Sequence, residues 1–468
     1  MMQVDYLFKH GTVITMDKER RIIEDGSVAI KKNRIVDVGT TNDLETKYQA
    51  KEVIDANKRF IMPGFVNIHN HSFNLYTRFM TIPMDGINVA DFGDVLTRWY
   101  WPKVEDNNTM EIAYLGALLC AAEMVQRGIT TSADMLEGAN VIPGGLEQVA
   151  KGFTEAGLRG VLSFEACERV SKEHGQLAHQ ENVDFIKKWN QIPDSTITGR
   201  LSVHTAFSSS PEYLQMVREW ADKLQAGIQM HIAQTTYEVE FIKKHHGHTG
   251  SVFFLDDLGF LGPDVIAAHC IYVSDREIEI LKDKDVKISY NVKSNLNAAN
   301  GVAPVPKFIE AGLTVGLGLD GINIMDMHEM MTHCAYTIRN HYLDRTLMPP
   351  EMVLEMATIN GAKALQMEDQ IGSLEPGKKA DLIMVDTRNK LHLTPIFNIW
   401  TAAALAARGS DVELVMVDGQ IKVKDYRLLN VDVPYLIKEV ERTAKDFLAR
   451  ILRTPVLDSW KLSTISYR

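Results

Sequence analysis

Two histidines at the end of an apolar strand are the first sign of chemistry in this chain of 468 residues. They are His69 and His71, in the segment PGFVNIHNH. Residues i and i+2 of a β-strand point to the same side, so both imidazoles can reach one metal ion. Such a pair alone is a weak signal, because two surface histidines look the same. The apolar run after Pro63 and Gly64 favours a buried strand and a metal site.

Three other apolar runs end in a residue that can bind a metal. IQMHIAQ contains His231, DVIAAHC contains His269 and LTVGLGLDG contains Asp320. Each of these residues alone would more often belong to a core or a cap. Together with the histidine pair they indicate a metal site, since imidazoles and one carboxylate suit Zn²⁺, Fe²⁺ or Co²⁺ and leave a position open for water.

The segments that carry these residues alternate with helical patterns. Between residue 63 and about residue 370, short apolar runs precede longer amphipathic ones, as in LSVHTAF, then PEYLQMVREWADKLQAG, then IQMHIAQ. Such alternation over roughly 300 residues is typical of a parallel α/β barrel. We therefore predict an α/β fold with a (β/α)8 (TIM) barrel at 63–370. Its strand ends would bring the candidate ligands to one face.

The two ends of the chain have a different pattern. Residues 1–62 and 371–430 alternate short strands with turns, for example in SVAIKKNRIVDVG and ELVMVDGQIKVKD. We expect them to form the two halves of one small β-sandwich that the barrel interrupts. Residues 431–468 are predicted to form a helical tail, because the segment from Tyr435 to Arg453 has amphipathic spacing.

Charge and cysteine usage limit the partners and the location. The chain has 50 basic and 61 acidic residues, a net charge of −11, which repels the phosphates of nucleic acids and membranes. The four cysteines are widely spaced, and the first residues lack the order of a signal peptide. We expect reduced thiols, a cytoplasmic location, a small-molecule substrate and a homo-oligomer, with no nucleic acid or membrane partner.

These motifs resemble those of the amidohydrolase superfamily. The similar branch contains aminohydrolases and chlorohydrolases, among them S-adenosylhomocysteine/methylthioadenosine deaminases, guanine deaminases and s-triazine hydrolases. The resemblance extends over almost the whole chain, through HGTVITMD, PGFVNIHNH, RGITTSADM, HTAFSSSPE, AAHCIYVSDREIEIL and GSLEPGKKADLIMVD.

The resemblance implies a role for each candidate residue. Asp320 would be both a ligand and the general base that takes a proton from the attacking water. His269 would bind the metal or that water, and His204 would face the substrate. LSVHTAF contains no lysine to bridge two metals, so we expect one divalent ion, with Zn²⁺ favoured over Fe²⁺ or Co²⁺. The implied metal ligands are His69, His71, His231 and Asp320, with His269 as a possible fifth.

Two positions depart from the pattern of the branch. An HxxE motif normally supplies a glutamate that protonates the leaving nitrogen, but this chain has Gln234, and an amide cannot deliver a proton. Where the branch has a histidine followed by C-P or N-P, this chain has Tyr290-Asn291-Val292-Lys293. Either another group such as Glu238, Tyr290 or Lys293 donates the proton, or the reaction has changed. Gln234 is kept as a catalytic candidate, and the predicted substrate contacts are Arg78, His204, Tyr290, Asn291 and Lys293.

The functional hypotheses follow from these matches and departures. The first is deamination of a cyclic amidine, such as a purine, pterin, adenosine derivative or s-triazine. Gln234 and Tyr290 favour the alternative, hydrolysis of an acyclic urea, carbamate or thiocarbamate, or removal of chloride. The third is a metal-binding barrel without catalysis, which the five polar strand-end residues disfavour. Barrel loops such as 73–100 would set the specificity.

Overall fold

Parallel strands and helices alternate through the middle of the chain, between two groups of antiparallel strands. The computed structural model describes residues 1–79, 84, 86–321 and 323–455. Residues 456–468 of the predicted tail, and 80–83 and 85 of the predicted specificity loop, lie outside this range. The strands are β1 (Met2–Ile14), β2 (Ile22–Lys31), β3 (Arg34–Thr40), β4 (Tyr48–Asp55), β5 (Arg59–Pro63), β6 (Phe65–Asn67), β7 (Ile129–Leu136), β8 (Arg159–Phe164), β9 (Ile197–Gly199), β10 (Leu201–Thr205), β11 (Ile228–Ile232), β12 (Val265–His269), β13 (Lys287–Tyr290), β14 (Val315–Leu317), β15 (Leu382–Asp386), β16 (Val412–Val417), β17 (Gln420–Lys424) and β18 (Arg427–Leu428).

The helices alternate with the strands along the chain, and most of them pack around the parallel strands. They are α1 (Thr41–Lys47), α2 (Phe92–Asp94), α3 (Met110–Gln126), α4 (Gly145–Ala156), α5 (Lys172–Trp189), α6 (Pro211–Leu224), α7 (Thr236–His246), α8 (Ser251–Asp257), α9 (Asp275–Asp283), α10 (Val292–Asn297), α11 (Val305–Ala311), α12 (Met327–Tyr342), α13 (Pro350–Met356), α14 (Ile359–Ala364), α15 (Ile399–Thr401) and α16 (Val433–Arg453). Segments of 3₁₀ or π helix occupy Ser72–Thr77, Val95–Val104, Glu105–Asn107, Ala139–Val141, Ala206–Ser208, Leu391–Leu393, Ala402–Ala406 and Gly409–Asp411.

Strands from both ends of the chain share one sheet. Its order is β18-β17-β16-β15-β5-β1-β2-β3, with β4 paired to β1. The joint between the two halves is the antiparallel pair β5 and β15, in register from Arg59 with Asp386 to Pro63 with Leu382. This sheet confirms the predicted composite domain. The predicted boundaries after residues 62, 370 and 430 stay predictions, and β5 spans the first of them.

Strands β6 to β14 close into the predicted (β/α)8 barrel, in which β9 and β10 together count as one of the eight strands. They form two parallel sheets, β6-β7-β8-β9 and β10-β11-β12-β13-β14, and Arg200 separates β9 from β10. The sheets meet where the amide of His204 donates to the carbonyl of Ala166 at 3.1 Å, and again where Ile68 donates to Leu317 at 3.2 Å. Strands such as β7, β11 and β12 are buried at every residue, because helices cover one face and the barrel core the other.

Local sequence features set where the covering helices begin and how the tail packs. Helix α9 starts with a capping box, in which Ser274 and Glu277 each accept a hydrogen bond from the other's backbone amide. In α16, the buried residues recur at the spacing of one helical face, so this face packs on the barrel and the other is exposed. They are Leu436, Thr443, Phe447 and Ile451.

Two findings concern cysteines and membranes. Cys120, Cys167, Cys270 and Cys334 are all buried free thiols. Among the described residues, no helix is long and apolar enough to cross a bilayer.

Candidate metal centre and active site

The carboxyl ends of the barrel strands position the candidate ligands. His69 and His71 follow β6, His231 lies in β11, His269 ends β12 and Asp320 follows β14. His269 and Asp320 have left-handed backbone angles, with φ of 75° and 58°. This conformation is uncommon in residues other than glycine, and here it turns the chain sharply as each strand ends. The Asp320 amide also donates to the carbonyl of His69 at 2.9 Å, which ties the last strand to the first.

Four of these side chains, here called the metal set, converge on one point. Their ligand atoms all lie within 4.8 Å of one another. His71 Nε2 is 3.1 Å from His231 Nε2 and 3.5 Å from Asp320 Oδ1, and His69 Nε2 is 3.6 Å from that oxygen. Ligands about 2.1 Å from an ion in tetrahedral geometry are about 3.4 Å apart, so the spacing suits such an ion. The metal set is His69, His71, His231 and Asp320.

The hydrogen-bond partners of the histidine ring nitrogens show whether the metal set fits a cation. Both ring nitrogens of His69 are buried and have no hydrogen-bond partner. His71 Nδ1 lies 3.2 Å from the Met135 carbonyl and His231 Nδ1 lies 2.8 Å from the His204 carbonyl. These contacts place a proton on Nδ1 and leave Nε2 free to bind a metal. An orphaned buried imidazole is costly, and a bound cation removes that cost, so the residues fit a metal ion.

The pKa shifts of the side chains in the metal set favour the protonation states that bind a metal ion. Burial lowers the pKa of His71 to about 3 and that of His231 well below its ordinary value, so both are neutral. Burial alone would raise the pKa of Asp320. The close contact with His69, whose Nε2 lies 3.6 Å from Oδ1, outweighs that effect and holds this pKa well below its ordinary value. Neutral imidazoles beside an ionised carboxylate are the forms that bind divalent metals.

A buried aspartate that the sequence reasoning missed holds the histidine loop in place. Asp134, on β7, accepts hydrogen bonds from Asn70 Nδ2 at 2.6 Å and from the Ser72 amide at 2.8 Å. Asn70 and Ser72 flank His71 in the chain. The carboxylate therefore fixes the backbone that carries His69 and His71, the two ligands that follow β6. Metal sites commonly require such supporting contacts.

His269 lies beside the metal set rather than within its closest group. Its Nδ1 contacts Asn295 Oδ1 at 2.7 Å, which directs Nε2 toward Asp320 Oδ2 at 3.6 Å. Burial lowers the pKa of His269 to about 4, so the ring is neutral. A neutral Nε2 at this position can accept a hydrogen bond or bind the ion.

A cavity of about 1040 Å³ opens onto the metal set. Its polar floor includes His71, His231 and Asp320, and His204 and Gln234 also line it. Apolar and aromatic side chains from the segment after α2 and from the start of α7 form the walls, among them Val95, Leu96, Tyr100 and Tyr237. Apolar walls with a few polar groups on the floor are typical of small-molecule sites.

The other predicted substrate contacts have different surroundings. Arg78 pairs with Glu123 at 2.6 Å, and Lys293 pairs with Glu329 at 2.7 Å. Asn291 accepts from Ser289 at 2.7 Å, and Tyr290 is buried at the end of β13. None of these four is among the cavity-lining residues of the described structure, whereas His204 is. Substrate contact by Arg78, Tyr290, Asn291 and Lys293 stays a prediction.

Comparison with known proteins identifies the family. A model described as "Amidohydrolase family" matches residues 60–422. The chain belongs to the amidohydrolase family. This amidohydrolase is 37% identical over 450 residues to a 5'-deoxyadenosine deaminase of Methanosarcina mazei, covering 96% of this chain and 99% of that one. It is 34% identical over 436 residues to a 5-methylthioadenosine/S-adenosylhomocysteine deaminase of Desulfitobacterium hafniense, covering 92% and 96%.

Solved structures share the fold of this amidohydrolase. An adenosine deaminase from Xanthomonas campestris with bound zinc superposes with a TM-score of 0.87 at 24% identity, covering 96% of this chain and 99% of that one. An atrazine chlorohydrolase from Arthrobacter aurescens, complexed with zinc, has a TM-score of 0.79 at 20% identity, covering 94% and 100%. The predicted resemblance, barrel and enzyme class are confirmed: the protein is a metal-dependent amidohydrolase.

Gln234 faces the cavity of the amidohydrolase, but the three alternative proton donors do not line it. Glu238 accepts hydrogen bonds from the Ala233 and Gln234 amides at 2.9 and 3.3 Å and so holds the turn before α7. Burial raises its pKa to about 7. Its carboxyl stabilises the backbone that presents Gln234. Tyr290 is buried at the end of β13, and Lys293 pairs with Glu329.

Sequence reasoning missed the carboxyl groups on the cavity floor. Glu105, Glu137 and Glu165 all line it and are buried. Burial and the neighbouring Glu105 raise the pKa of Glu137 and Glu165 well above the ordinary value. Both residues directly follow barrel strands, in ADMLE and LSFE, so the strand-end rule that found the histidines would also have found them.

Proposed function

We propose that this amidohydrolase is a zinc-dependent deaminase of adenosine derivatives, with 5'-deoxyadenosine and 5'-methylthioadenosine as the first candidates. The similarity at 37% identity to a 5'-deoxyadenosine deaminase, over nearly the full length of both chains, is the observation that carries the proposal. The cavity, of about 1040 Å³, is large enough for a nucleoside, since pockets for small molecules commonly have volumes of about 300–1000 Å³. One Zn²⁺ per chain is the proposed ion, because relatives of this fold bind zinc.

The reaction replaces the exocyclic amino group of adenine with the oxygen of water and releases ammonia. When bound, a divalent ion in the metal set lowers the pKa of water and supplies a nucleophile at neutral pH. Asp320 accepts the proton of the attacking water, because its carboxylate lies in the metal set and lines the cavity. His269 Nε2, 3.6 Å from Asp320 Oδ2, orients that water.

Departure of ammonia requires a proton that Gln234 cannot provide, so Asp320, which has taken a proton from water, would pass it to the leaving amino group. The amide can instead orient the substrate from its place in the cavity wall. This observation favours a second candidate function, hydrolysis of an acyclic urea or carbamate or displacement of chloride, in which the leaving group needs less protonation.

An ammonia-release assay separates the candidate functions. The zinc-loaded enzyme is incubated with 5'-deoxyadenosine, 5'-methylthioadenosine, guanine, a chloro-s-triazine and an N-alkyl urea. We expect ammonia and the corresponding inosine derivative from each of the two adenosine derivatives. The rates on guanine, the triazine and the urea should be far lower. Chloride release from the triazine, or turnover of the urea alone, would favour the second candidate function. No turnover of any compound by metal-loaded enzyme would contradict both.

Gln234→Glu is expected to lower turnover of the natural substrate by about 10-fold or more, through displaced groups around the metal set. The new carboxyl would join Glu137, Glu165 and Asp320 in a buried cavity, and repulsion would disturb the ligand geometry. Steady-state rates and zinc content of the variant and of Gln234→Ala measure the effect. A clear gain would mean that the enzyme is a deaminase that lacks a proton donor, and equal rates would mean that Gln234 does not affect the chemistry.

The cellular setting is a further part of the proposal. We place the enzyme in the cytoplasm, which its four buried free thiols support, and propose that it forms a homo-oligomer. Analytical ultracentrifugation of the purified protein gives the oligomeric state, and a monomer at micromolar concentration would contradict that part.

A further inference from the structure

Two carboxyl groups on the cavity floor are not used by the proposed reaction. Glu137 follows β7 and Glu165 follows β8, and the two residues are 5% and 6% exposed. Both line the cavity. The Oε2 atom of each is buried without a hydrogen-bond partner. A buried carboxyl oxygen without a partner is costly, and a donor group of a ligand in the cavity would remove that cost.

The surroundings leave these carboxyls without a cation. His71 Nδ1 lies 3.2 Å from Glu137 Oε1 and 3.5 Å from Glu165 Oε2, but the ring is neutral and has one proton to share. His204 Nε2 lies 3.5 Å from Glu165 Oε1, and burial lowers the pKa of His204 well below its ordinary value. In the described part of the chain, neither carboxyl has a lysine or arginine within ion-pair distance.

The arginine on the same side of the cavity is already neutralised. Arg169 pairs with Glu105 at 3.1 Å and with Asp106 at 2.6 Å. The same arginine stacks on the Trp101 ring at 5.2 Å, which holds it in that position. It therefore balances Glu105 and Asp106 and is not within ion-pair distance of Glu137 or Glu165. Without such a partner, burial and the neighbouring Glu105 hold the pKa of both carboxyls well above the ordinary value.

We propose that Glu137 and Glu165 form a subsite for a cationic nitrogen group of the substrate, such as an ammonium, amidinium or guanidinium. Oxygens of the two carboxyls lie within 4.8 Å of one another, close enough for the N–H groups of one cation to bridge them. Charge-assisted hydrogen bonds of this kind are strong in a buried site. Neutral hydroxyl groups would also satisfy the oxygens, but only a cation would in addition lower the raised pKa of the two carboxyls and stabilise their ionised forms.

This subsite rests on the proposed function and narrows its substrate class. The substrate would be an amidine ring that reaches the metal set and carries a second, basic nitrogen group. Among adenosine derivatives, a 5'-amino substituent meets this description, whereas 5'-deoxyadenosine lacks the cation.

Binding of benzamidine and benzamide tests the subsite without any reaction. The two probes have the same size, but only benzamidine is charged, and calorimetry on the zinc-loaded enzyme measures their affinities at equal ionic strength. We expect benzamidine to bind at least about 10-fold more tightly, as for hydrogen bonds to charged groups. Equal affinity in the unmodified enzyme would overturn the proposal, whether or not any variant folds.

Variants assign the effect to the two carboxyls. Glu137→Gln and Glu165→Gln are each expected to weaken benzamidine binding by about 10-fold and to leave benzamide unchanged. Glu240→Gln is the matched control, since Glu240 is an exposed carboxyl at the rim of the same cavity. Zinc content and circular dichroism verify that each variant is folded. Unchanged benzamidine binding in both folded variants would overturn the proposal.

Kinetics with a matched nucleoside pair separates this proposal from the proposed function. The kcat/KM for 5'-amino-5'-deoxyadenosine should exceed that for 5'-deoxyadenosine by about 10-fold, and Glu165→Gln should remove the preference. Deamination of both nucleosides at equal efficiency would contradict the subsite and leave the proposed function intact. Selective benzamidine binding without deamination of any nucleoside would contradict the proposed function and leave the subsite intact.

Discussion

The His71→Ala enzyme is expected to purify without tightly bound zinc and to have no measurable turnover. His71 Nε2 lies 3.1 to 3.5 Å from two other members of the metal set, so its loss removes a ligand from the centre of the group. Zinc affinity depends on the number and placement of the ligands, so the remaining members of the set should bind the ion much more weakly. Elemental analysis by mass spectrometry measures the metal, and the ammonia-release assay measures turnover.

A surface histidine provides the control for this variant. His341→Ala changes an exposed residue at the end of α12 and should keep one zinc per chain and full activity. Zinc retained at one equivalent in His71→Ala would show that this residue is not a ligand. Two equivalents of tightly bound metal in the unmodified enzyme would contradict the mononuclear site.

Asp320→Asn is expected to lower kcat by more than about 100-fold while part of the metal remains bound. The amide keeps the shape of the carboxyl and one oxygen that can bind an ion, but it cannot accept a proton at neutral pH. Loss of a positioned base costs about 10²–10⁴-fold in rate. Rates are normalised to zinc content, so that a binding defect is not mistaken for a chemical one.

The control for Asp320→Asn is Asp283→Asn, at an exposed residue that ends α9. It should match the unmodified enzyme in both rate and zinc content. If zinc-loaded Asp320→Asn kept near-normal turnover, another group would have to accept the proton. His269, 3.6 Å from Asp320, would then be the first to test.

The sequence by itself determined the metal set and the barrel that carries it. Parallel strands of a barrel end on one face, so a histidine or aspartate at such an end points to a shared centre even when the residues are far apart in the chain. His71 and Asp320 are separated by nearly the whole barrel, yet their ligand atoms lie 3.5 Å apart. The composite sheet followed in the same way, because turn-rich strands at both ends need a partner to bury one face.

Only the tertiary structure decided which other side chains reach the cavity. Tyr290 is the last residue of β13 and Lys293 follows that strand, but both are absent from the lining of the described cavity, and Lys293 pairs with Glu329 instead. Glu137 and Glu165 do line it, with buried oxygens that lack partners. Strand periodicity gives the position of a residue along the barrel. The direction of its side chain and its partners depend on contacts with helices and loops that are distant in sequence.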